Sequence, residues 1–209
     1  MKIALIGYGK MGRTVENIAI NRGHEVIVKL NSQSDVNDWN TAALADVAIE
    51  FTQPDAAFEN IQKCLNHNLK VVSGTTGWFD KLPQITESCQ RTNGTVFWAS
   101  NFSIGVNIFW KLNQQLASLM AQHDEYGVEI TEIHHVQKLD KPSGTAISTA
   151  EQIMQNNPAY NGWVLSHQPS TGHKIPIAAL REEDVKGTHV VKYESPIDII
   201  ELKHEAKSR

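Results

Sequence analysis

The chain has 209 residues, of which 41% are hydrophobic and 20% charged, and its formal net charge is −4 at pH 7. This composition suits one compact unit or two small domains with a hydrophobic core, and it excludes a disordered or fibrous chain. Lysine and arginine are scattered along the sequence rather than gathered into one face or tail. Nucleic acid is therefore not expected as a partner.

Two sequence features bear on the compartment. Cys64 and Cys89 fall at apolar positions of helix-like stretches, without the close spacing of a metal site or redox pair, which favours a reducing compartment. The chain passes directly from Met1-Lys2 into a strand-like run, and no long apolar segment follows. We expect a cytoplasmic protein that is neither exported nor inserted in a membrane.

The first half alternates strands with helices. An apolar run at 2–6 ends in glycine and is followed by apolar residues at helical spacing, which predicts strand, tight turn and helix. Further strands are predicted at 26–30, 47–51, 70–73 and 95–99, with one helix over 57–65. This order predicts the α/β class, with a Rossmann-type parallel sheet covered on both faces.

The second half has a different character. A helix over 106–120 is followed by predicted strands at 128–136, 175–181, 188–194 and 197–206, with one helix over 145–155. Strands with little helix between them predict an α+β domain with a mixed or antiparallel open sheet. We place the boundary near Phe102, with a dinucleotide-binding domain at 1–102 and a substrate-binding and oligomerisation domain at 103–209.

The glycine-rich turn Gly7-Tyr8-Gly9-Lys10-Met11-Gly12 follows the first strand and opens the first helix. The first glycine permits the tight turn, the second lets the backbone approach a pyrophosphate, and the third allows close packing of helix on strand. Free N–H groups and the helix dipole then face the phosphates. A plain tight turn would show the same residues, but this position favours a dinucleotide site.

The loop after the second strand leaves the choice of cofactor open. An acidic residue about twenty positions beyond the glycines normally binds the ribose hydroxyls and selects NAD. Here the segment is Leu30-Asn31-Ser32-Gln33, so the 2′-phosphate of NADP is not repelled. No arginine is present to bind that phosphate, and the nearest candidate cations are Lys10 and Lys29. Both NADH and NADPH remain possible cofactors.

Two further loops follow strands of the same sheet, Phe51-Thr52-Gln53-Pro54 and Ser73-Gly74-Thr75-Thr76-Gly77. Ligands of such sheets bind outside the carboxyl ends of the strands, so these loops are expected to face the nicotinamide half of the cofactor. Ordinary turn chemistry of glycine, threonine and proline explains the same residues equally well.

The most informative segment runs from Glu129 to Ala146 and contains His134, His135 and Lys138. Strand alternation places the two histidines on opposite faces. A histidine at a strand end is more often structural than catalytic. However, a lysine together with the amides of a helix that starts at Ser143-Gly144-Thr145 forms an anion site, and a histidine beside it is a candidate proton donor. Metal ligation is less favoured, because the adjacent histidines lack helical i,i+4 spacing and no cysteine is near.

Four segments together resemble the dihydrodipicolinate reductase family. They are the glycine turn from Gly7, the Gly74-Thr75-Thr76-Gly77 loop, Ala99-Ser100-Asn101-Phe102 with its continuation to Asn107, and Glu132 through Ala146. They occur in that family's order and approximate spacing. The resemblance implies a Rossmann domain, then a mixed-sheet domain that carries substrate and forms a homotetramer. It also implies reduction of 4-hydroxy-tetrahydrodipicolinate with loss of water, in the diaminopimelate and lysine pathway.

The resemblance also implies roles for single residues. His134 corresponds to the general acid and Lys138 to a catalytic, carboxylate-binding cation. The substrate-binding positions are His135, Gly144 and Thr145, and we add Ser143 at the helix start. The expected cofactor-binding residues are the positions implied by the family together with residues of the loops described above. They are Gly7, Gly9, Lys10, Met11, Gly12, Asn31, Phe51, Thr52, Gly74, Thr75, Thr76, Ser100, Asn101 and Phe102. No metal is expected.

The sequence departs from the family at two places. The family usually has an acidic residue near Asn31, and it continues past 207–209 into a final helix that we expect to be absent here. Two other functions are compatible with the cofactor fold. One is another two-domain dehydrogenase acting on a hydroxy acid or semialdehyde. The other is a non-catalytic NAD(P)H sensor, whose DNA-binding version predicts a basic helix-turn-helix that the sequence does not show.

Overall fold

A computed structural model describes residues 1–166 and 172–208. Contacts between residues divide the chain into two compact units, Met1–Phe102 and Ser103–Arg209. Arg209, the last residue of the expected second domain, lies outside the described residues. No helix in the described part of the chain is both long enough and apolar enough to cross a membrane.

The first unit is a parallel sheet with helices between its strands. Its strands are β1 (Lys2–Ile6), β2 (Glu25–Leu30), β3 (Val47–Glu50), β4 (Val71–Ser73) and β5 (Val96–Trp98). Its helices are α1 (Lys10–Asn21), α2 (Val36–Ala42), α3 (Pro54–Asn66) and α4 (Leu82–Thr92), with a single 3-10 turn at Phe79–Lys81. All strand pairs are parallel, in the order β2-β1-β3-β4-β5. The predicted Rossmann-type sheet is confirmed.

Strand β1 is buried on both faces, as a central parallel strand requires. Ala4 and Ile6 pack in the cluster that includes Ile61 of α3, whereas Ile3 and Leu5 pack with Ala19 of α1. Because β2 lies on one side of β1 and β3 on the other, the order of strand addition reverses at β1. The loops after β1 and β3 therefore adjoin a crevice at the carboxyl ends of the strands, which is where such sheets bind ligands.

Helix α2 was not predicted from the sequence, and α4 was indicated only as a helix-like stretch around Cys89, without bounds. Helix α2 has only seven residues, too few for a clear apolar period, and it begins at a capping box formed by Asp35 and Asp38. Helix α4 carries Pro83 in its first turn and ends at Asn93 in the left-handed conformation. In both cases local capping chemistry defines a helix that hydrophobic periodicity leaves undefined.

The second unit contains α5 (Ile104–Met120), α6 (Gly144–Asn156) and a second sheet. The strands are β6 (Gly127–His134), β7 (Gly162–Leu165), β8 (Lys174–Arg181), β9 (Thr188–Glu194) and β10 (Ile199–Glu205), in the order β10-β9-β6-β8-β7. Strand β8 is parallel to β6 and β7, while β9 is antiparallel to β6 and β10. The predicted mixed sheet is confirmed, although β7, with only four residues, was not predicted.

Two predicted strands are shorter than expected because hydrogen-bonded turns end them. Strand β6 was predicted to reach residue 136 but ends at His134, where a turn is closed by the Lys138 amide donating to the His135 carbonyl at 3.1 Å. Strand β10 was predicted from residue 197 but begins at Ile199. The Ser195 hydroxyl accepts from the amides of Ile197 and Asp198, which keeps these residues in the connecting turn.

One face of the second sheet is covered by α5 and α6. Their buried residues, including Phe109, Ala150 and Ile153, form one core with Ile130 and Val191 of the sheet. Strand alternation puts Glu132 and His134 on the same face as Ile130, beyond the end of this core. The opposite face carries Ile133, Leu180 and Val190, and no described helix of this unit packs on it.

Candidate functional site

The glycine turn of the first unit is formed by close backbone approaches. Gly7 has φ +90°, and a Cβ there would lie 2.0 Å from the Phe51 carbonyl oxygen, while a Cβ on Gly12 would lie 2.2 Å from the Gly7 carbonyl oxygen. Helix α1 begins after Gly9, and no described side chain caps its first amides. These amides, of Lys10, Met11 and Gly12, can therefore receive an anionic group such as a phosphate.

The buried carboxylate of Glu50 joins the loops that follow β3 and β4. Glu50 is 0% exposed. It accepts hydrogen bonds from the Thr75 hydroxyl at 2.8 Å, from the Thr52 amide at 3.0 Å, and from the hydroxyls of Ser73 and Thr52. A buried ionised group needs such a set of donors. Glu50 therefore fixes both loops against each other at the sheet edge. The sequence analysis assigned it no role.

Ten of the expected cofactor residues line two cavities at this edge of the sheet. A cavity of about 580 Å³ is lined by Gly7, Gly9, Asn31, Phe51 and Thr52 among others. A second cavity, of about 370 Å³, shares three of these residues and adds Lys10, Met11, Gly74, Thr75 and Thr76. The loops after β1, β3 and β4 therefore form one continuous groove, and the amides of α1 open onto it.

The other expected cofactor residues lie elsewhere in the first unit. Gly12 is buried and contributes by its packing on Gly7. Ser100, Asn101 and Phe102 follow β5 and line neither of the two cavities. The Phe102 ring lies 6.3 Å from the ring of Phe51, so this segment adjoins the groove through an aromatic contact.

The larger cavity is also lined by a lysine, Lys63, that was not identified from the sequence. Lys63 of α3 lines it together with Asn31, Ser32 and Ser34. Lys29, by contrast, forms an ion pair with Glu16 at 2.5 Å, which raises the pKa of Lys29 and lowers that of Glu16. Lys63 is therefore the better placed of these two lysines for a phosphate beside Asn31.

In the second unit, the Glu132 carboxylate is contacted by donors from two other elements, the start of α6 and β8, and by His134 of its own strand. Glu132 is 0% exposed. The Ser143 amide donates to both carboxylate oxygens at 3.0 and 3.1 Å, Arg181 Nη1 lies 3.4 Å from Oε1, and His134 Nε2 lies 3.4 Å from Oε2. Burial raises the pKa of Glu132, but the bonds from His134 and Ser143 outweigh it and lower the pKa to about 2. The carboxylate is therefore ionised at neutral pH.

Arg181 holds the loop that carries Lys138. Its Nε donates to the Lys138 carbonyl at 3.1 Å, and its Nη2 donates to the Asp140 carbonyl. The ammonium of Lys138 pairs with the Asp140 carboxylate at 2.8 Å. Burial raises the pKa of Asp140, but the bond from Lys138 outweighs it and lowers the pKa overall. The lysine is thus presented from a fixed loop, and its present partner is an exposed carboxylate that a ligand carboxylate can replace.

His189 completes the cluster from β9. Its Nε2 lies 3.3 Å from the Ser143 hydroxyl and 3.8 Å from Glu132 Oε2, and its ring meets that of His134 edge-on at 5.1 Å. Burial, and secondly the charge of His134, lower the pKa of His189 to about 4. His189 is therefore neutral at pH 7, and the sequence analysis did not identify it.

Helix α6 begins where the sequence predicts, with Ser143 as N-cap. The Ser143 hydroxyl accepts a hydrogen bond from the Ala146 amide at 3.2 Å, and the Ser143 amide donates to the Glu132 carboxylate. No described residue accepts from the amides of Gly144 and Thr145. These two N–H groups remain for an external anion. His135 lies in the turn between β6 and Lys138.

Glu132, His134 and His189 also present one potential metal-ligand atom each, all within 4.8 Å of one another. The sequence analysis considered only the adjacent His134-His135 pair and did not find this set. However, the guanidinium of Arg181 already neutralises the carboxylate, and a divalent ion would add further positive charge beside it. The contacts therefore favour a hydrogen-bonded network over a metal centre.

Comparisons with known proteins agree over both units. The family model described as dihydrodipicolinate reductase, N-terminus, matches residues 1–102, and the model described as dihydrodipicolinate reductase, C-terminus, matches residues 105–209. A 4-hydroxy-tetrahydrodipicolinate reductase from Christiangramia forsetii is 51% identical over 100% of this chain and 86% of that protein. A protein of the same name from Rickettsia rickettsii is 34% identical over 96% of this chain and 83% of that protein.

A solved structure is similar along the whole chain. It is described as dipicolinate-bound dihydrodipicolinate reductase from Paenisporosarcina sp. TG-14, and it is 27% identical with a TM-score of 0.72. The similarity covers 100% of this chain and 88% of that one.

The first prediction concerns Glu50. Glu50→Gln should weaken NADH binding about tenfold or more, equivalent to at least about 1.4 kcal/mol, because the loops lose a charged acceptor that holds them in place. Binding is measured by fluorescence titration, with Glu25→Gln on the exposed side of β2 as control. An unchanged dissociation constant would show that Glu50 does not organise the groove.

The second prediction concerns acid stability. The unfolded chain protonates His189 near its ordinary pKa of 6.5, whereas the folded chain does so only near 4, so unfolding takes up a proton between these values. The free energy of unfolding of the second unit should therefore fall by about 2 kcal/mol between about pH 7 and about pH 5. Fluorine NMR of fluorotryptophan at Trp110 and Trp163 reports urea unfolding of this unit.

His189→Asn removes this titration and should flatten the pH dependence. His123→Gln, at an exposed position, should leave it unchanged. Equal slopes in wild type and His189→Asn would contradict the assignment.

Proposed function

The chain belongs to the dihydrodipicolinate reductase family, and we propose that it acts as a 4-hydroxy-tetrahydrodipicolinate reductase in diaminopimelate and lysine biosynthesis. The observation that carries this proposal is the cluster of Glu132, His134 and Lys138 beside the free amides of α6. The proposal is supported by the occurrence of a candidate proton donor, a cation and helix-end N–H groups in one segment that the family model matches. Such a site suits an anionic substrate that must be protonated.

The groove of the first unit suits a nicotinamide cofactor. Gly7, Gly12 and Gly74 leave no room for a Cβ, and the amides at the start of α1 are free for a pyrophosphate. When bound, the cofactor supplies a hydride for the substrate. The Glu50 network keeps the Thr52 and Thr75 loops in position for it.

The substrate carboxylates are held by two kinds of donor. The Lys138 ammonium binds one carboxylate, in exchange for Asp140, and the amides of Gly144 and Thr145 bind the other. The similar Paenisporosarcina structure is described as dipicolinate-bound, and dipicolinate carries two carboxylates. We now assign Ser143 to fixing the helix start, because both its amide and its hydroxyl are engaged within the protein. His135 stays a proposed substrate contact.

His134 supplies the proton. Loss of the substrate hydroxyl as water leaves a carbon–carbon double bond conjugated with the imine. Hydride delivery to the far carbon of that double bond leaves electron density on the carbon next to the imine, and a protonated imidazole can transfer its proton there. The His134 side chain is only 11% exposed, so little bulk water competes with it. Holding both carboxylates orients the reacting carbon, which lowers the entropic part of the barrier.

Assembly and compartment are also proposals. We propose a homotetramer formed through the second sheet, because its face with Ile133, Leu180 and Val190 is not covered by a described helix of that unit. We propose the cytoplasm as the compartment, because Cys64 and Cys89 are both unpaired thiols.

A coupled assay tests the activity directly. The product of dihydrodipicolinate synthase is supplied as substrate, and oxidation of NADH or NADPH is followed by absorbance. Turnover that depends on this substrate supports the proposal. Cofactor binding without turnover, against this and a panel of hydroxy acids and semialdehydes, would instead indicate a sensor.

The third prediction concerns the catalytic pair. His134→Gln should lower kcat by roughly 10²–10⁴-fold, the range for a lost general acid, with a smaller change in KM. Lys138→Ala should raise KM as well, because a substrate carboxylate loses its cation. Steady-state kinetics measure both, with Lys111→Ala on α5 as control. An unchanged kcat in His134→Gln would remove His134 from the mechanism.

The fourth prediction concerns cofactor choice. With Asn31 in place of a carboxylate and Lys63 in the same cavity, NADH and NADPH should give kcat/KM values within about tenfold of each other, or about 1.4 kcal/mol. Lys63→Ala should reduce kcat/KM for NADPH more than for NADH. A preference of about a hundredfold or more in either direction in the wild type would contradict this interpretation of the loop after β2.

The fifth prediction concerns assembly. Light scattering at micromolar concentration should show a tetramer. Leu180→Lys should dissociate it, because a charge would enter an apolar interface, and Leu44→Lys, at an exposed position of the first unit, should not. A stable monomer of the wild-type chain would contradict the proposed interface.

A further inference from the structure

We propose that Glu132 is a positioning residue of this site: it keeps one ring proton of His134 on Nε2, so that the imidazolium gives its Nδ1 proton to the substrate and is left as the neutral Nε2–H form. This inference rests on the proposed function, because it takes His134 as the proton donor. It adds a residue that acts on the reaction through another side chain.

The two nitrogens of His134 have different surroundings. Nε2 is buried and lies within ion-pair distance of Glu132 Oε2, at 3.4 Å, and it forms no hydrogen bond of regular geometry with any described group. The edge of the His134 ring that carries Cε1 and Nδ1 lies against Gly187. A Cβ on Gly187 would lie 3.2 Å from Cε1 and 3.4 Å from Nδ1. Any residue with a Cβ at this position would crowd that edge of the ring, whereas glycine does not. Since an ionised carboxylate can only accept, the neutral ring keeps its hydrogen on Nε2.

Glu132 is itself held rigidly enough for this role. Its oxygens accept the Ser143 amide at 3.0 and 3.1 Å, and Arg181 approaches Oε1 at 3.4 Å. Because the same amide begins α6, the carboxylate links the position of the imidazole to that of the Gly144 and Thr145 amides. A shift of Glu132 would move both halves of the substrate site.

The surrounding charges balance without His134. The groups that face the pair from the neighbouring elements are Arg181 of β8, His189 of β9, His204 of β10, and Lys138 and Asp140 of the loop. Lys138 with Asp140 and Arg181 with Glu132 are two neutral pairs, and His189 is uncharged at neutral pH because burial lowers its pKa to about 4.

Nitrogen chemical shifts of labelled histidine, measured by NMR, report the tautomer in the full chain. The His134 signal is identified by its loss in His134→Gln. In the wild type, the neutral ring should carry its proton on Nε2. In Glu132→Gln the amide no longer enforces this tautomer, so the Nδ1–H form should become populated. The kcat value should fall about tenfold or more, with a smaller change in KM for the dicarboxylate.

Glu129→Gln is the matched control. Glu129 lies on the same strand but on the opposite face, where it pairs with Lys192 at 2.7 Å. This variant should keep both the wild-type tautomer and the wild-type kcat. Fluorine NMR of fluorotryptophan at Trp110 and Trp163 checks that the second unit of the Glu132→Gln variant is folded.

The outcomes separate the two proposals. A neutral wild-type His134 with its proton on Nδ1 would overturn the positioning role, and this measurement does not depend on the folding of any variant. An unchanged tautomer and kcat in Glu132→Gln would overturn it as well. An inactive wild-type enzyme whose His134 is protonated on Nε2 would contradict the proposed function alone.

Discussion

The proposed substrate site depends on one buried carboxylate. A charged group without water is unfavourable unless donors surround it, and removing one partner of such a group destabilises it strongly. Glu132 meets this requirement with donors from the start of α6, from β8 and from β6 itself. Each donor is also part of the site, so satisfying the carboxylate places the imidazole, the Lys138 loop and the helix amides together.

Glu50 in the first unit is likewise a buried carboxylate surrounded by hydrogen-bond donors. That carboxylate is also 0% exposed, and its donors are the hydroxyls and the amide of the two loops that flank the groove. In both units, therefore, irregular segments at strand ends are fixed by a buried acid rather than by the sheet alone. Fixed loops bind ligands with less loss of entropy, which is an advantage for a reaction that requires defined orientation.

Much of the fold follows from local sequence pattern. The apolar runs and helical spacing predict both sheets and α6, and the start of α6 at Ser143 follows from capping chemistry. The pattern failed for α2 and β7, which have seven and four residues and too few apolar positions to show a period.

The site was predictable only where its residues are close in sequence. His134, Lys138 and Ser143 lie in one segment, and the family resemblance rests on it. His189 and Arg181 join them through strand pairing, since Glu132 pairs with His189 across β9 and His134 pairs with Arg181 across β8. Such register between distant segments is set by the folded sheet, and no local spacing reveals it. Glu50 was missed for a similar reason, because two of its donors, Ser73 and Thr75, come from the next strand and the loop after it.

A crystal structure of the complex with dipicolinate would test the central claim most directly. The account predicts one ligand carboxylate on the amides of Gly144 and Thr145 and the other on Lys138, with the Lys138–Asp140 pair broken and the contacts of Glu132 with Ser143, Arg181 and His134 unchanged. A complex in which Glu132 leaves these partners, or in which dipicolinate binds away from the start of α6, would contradict it.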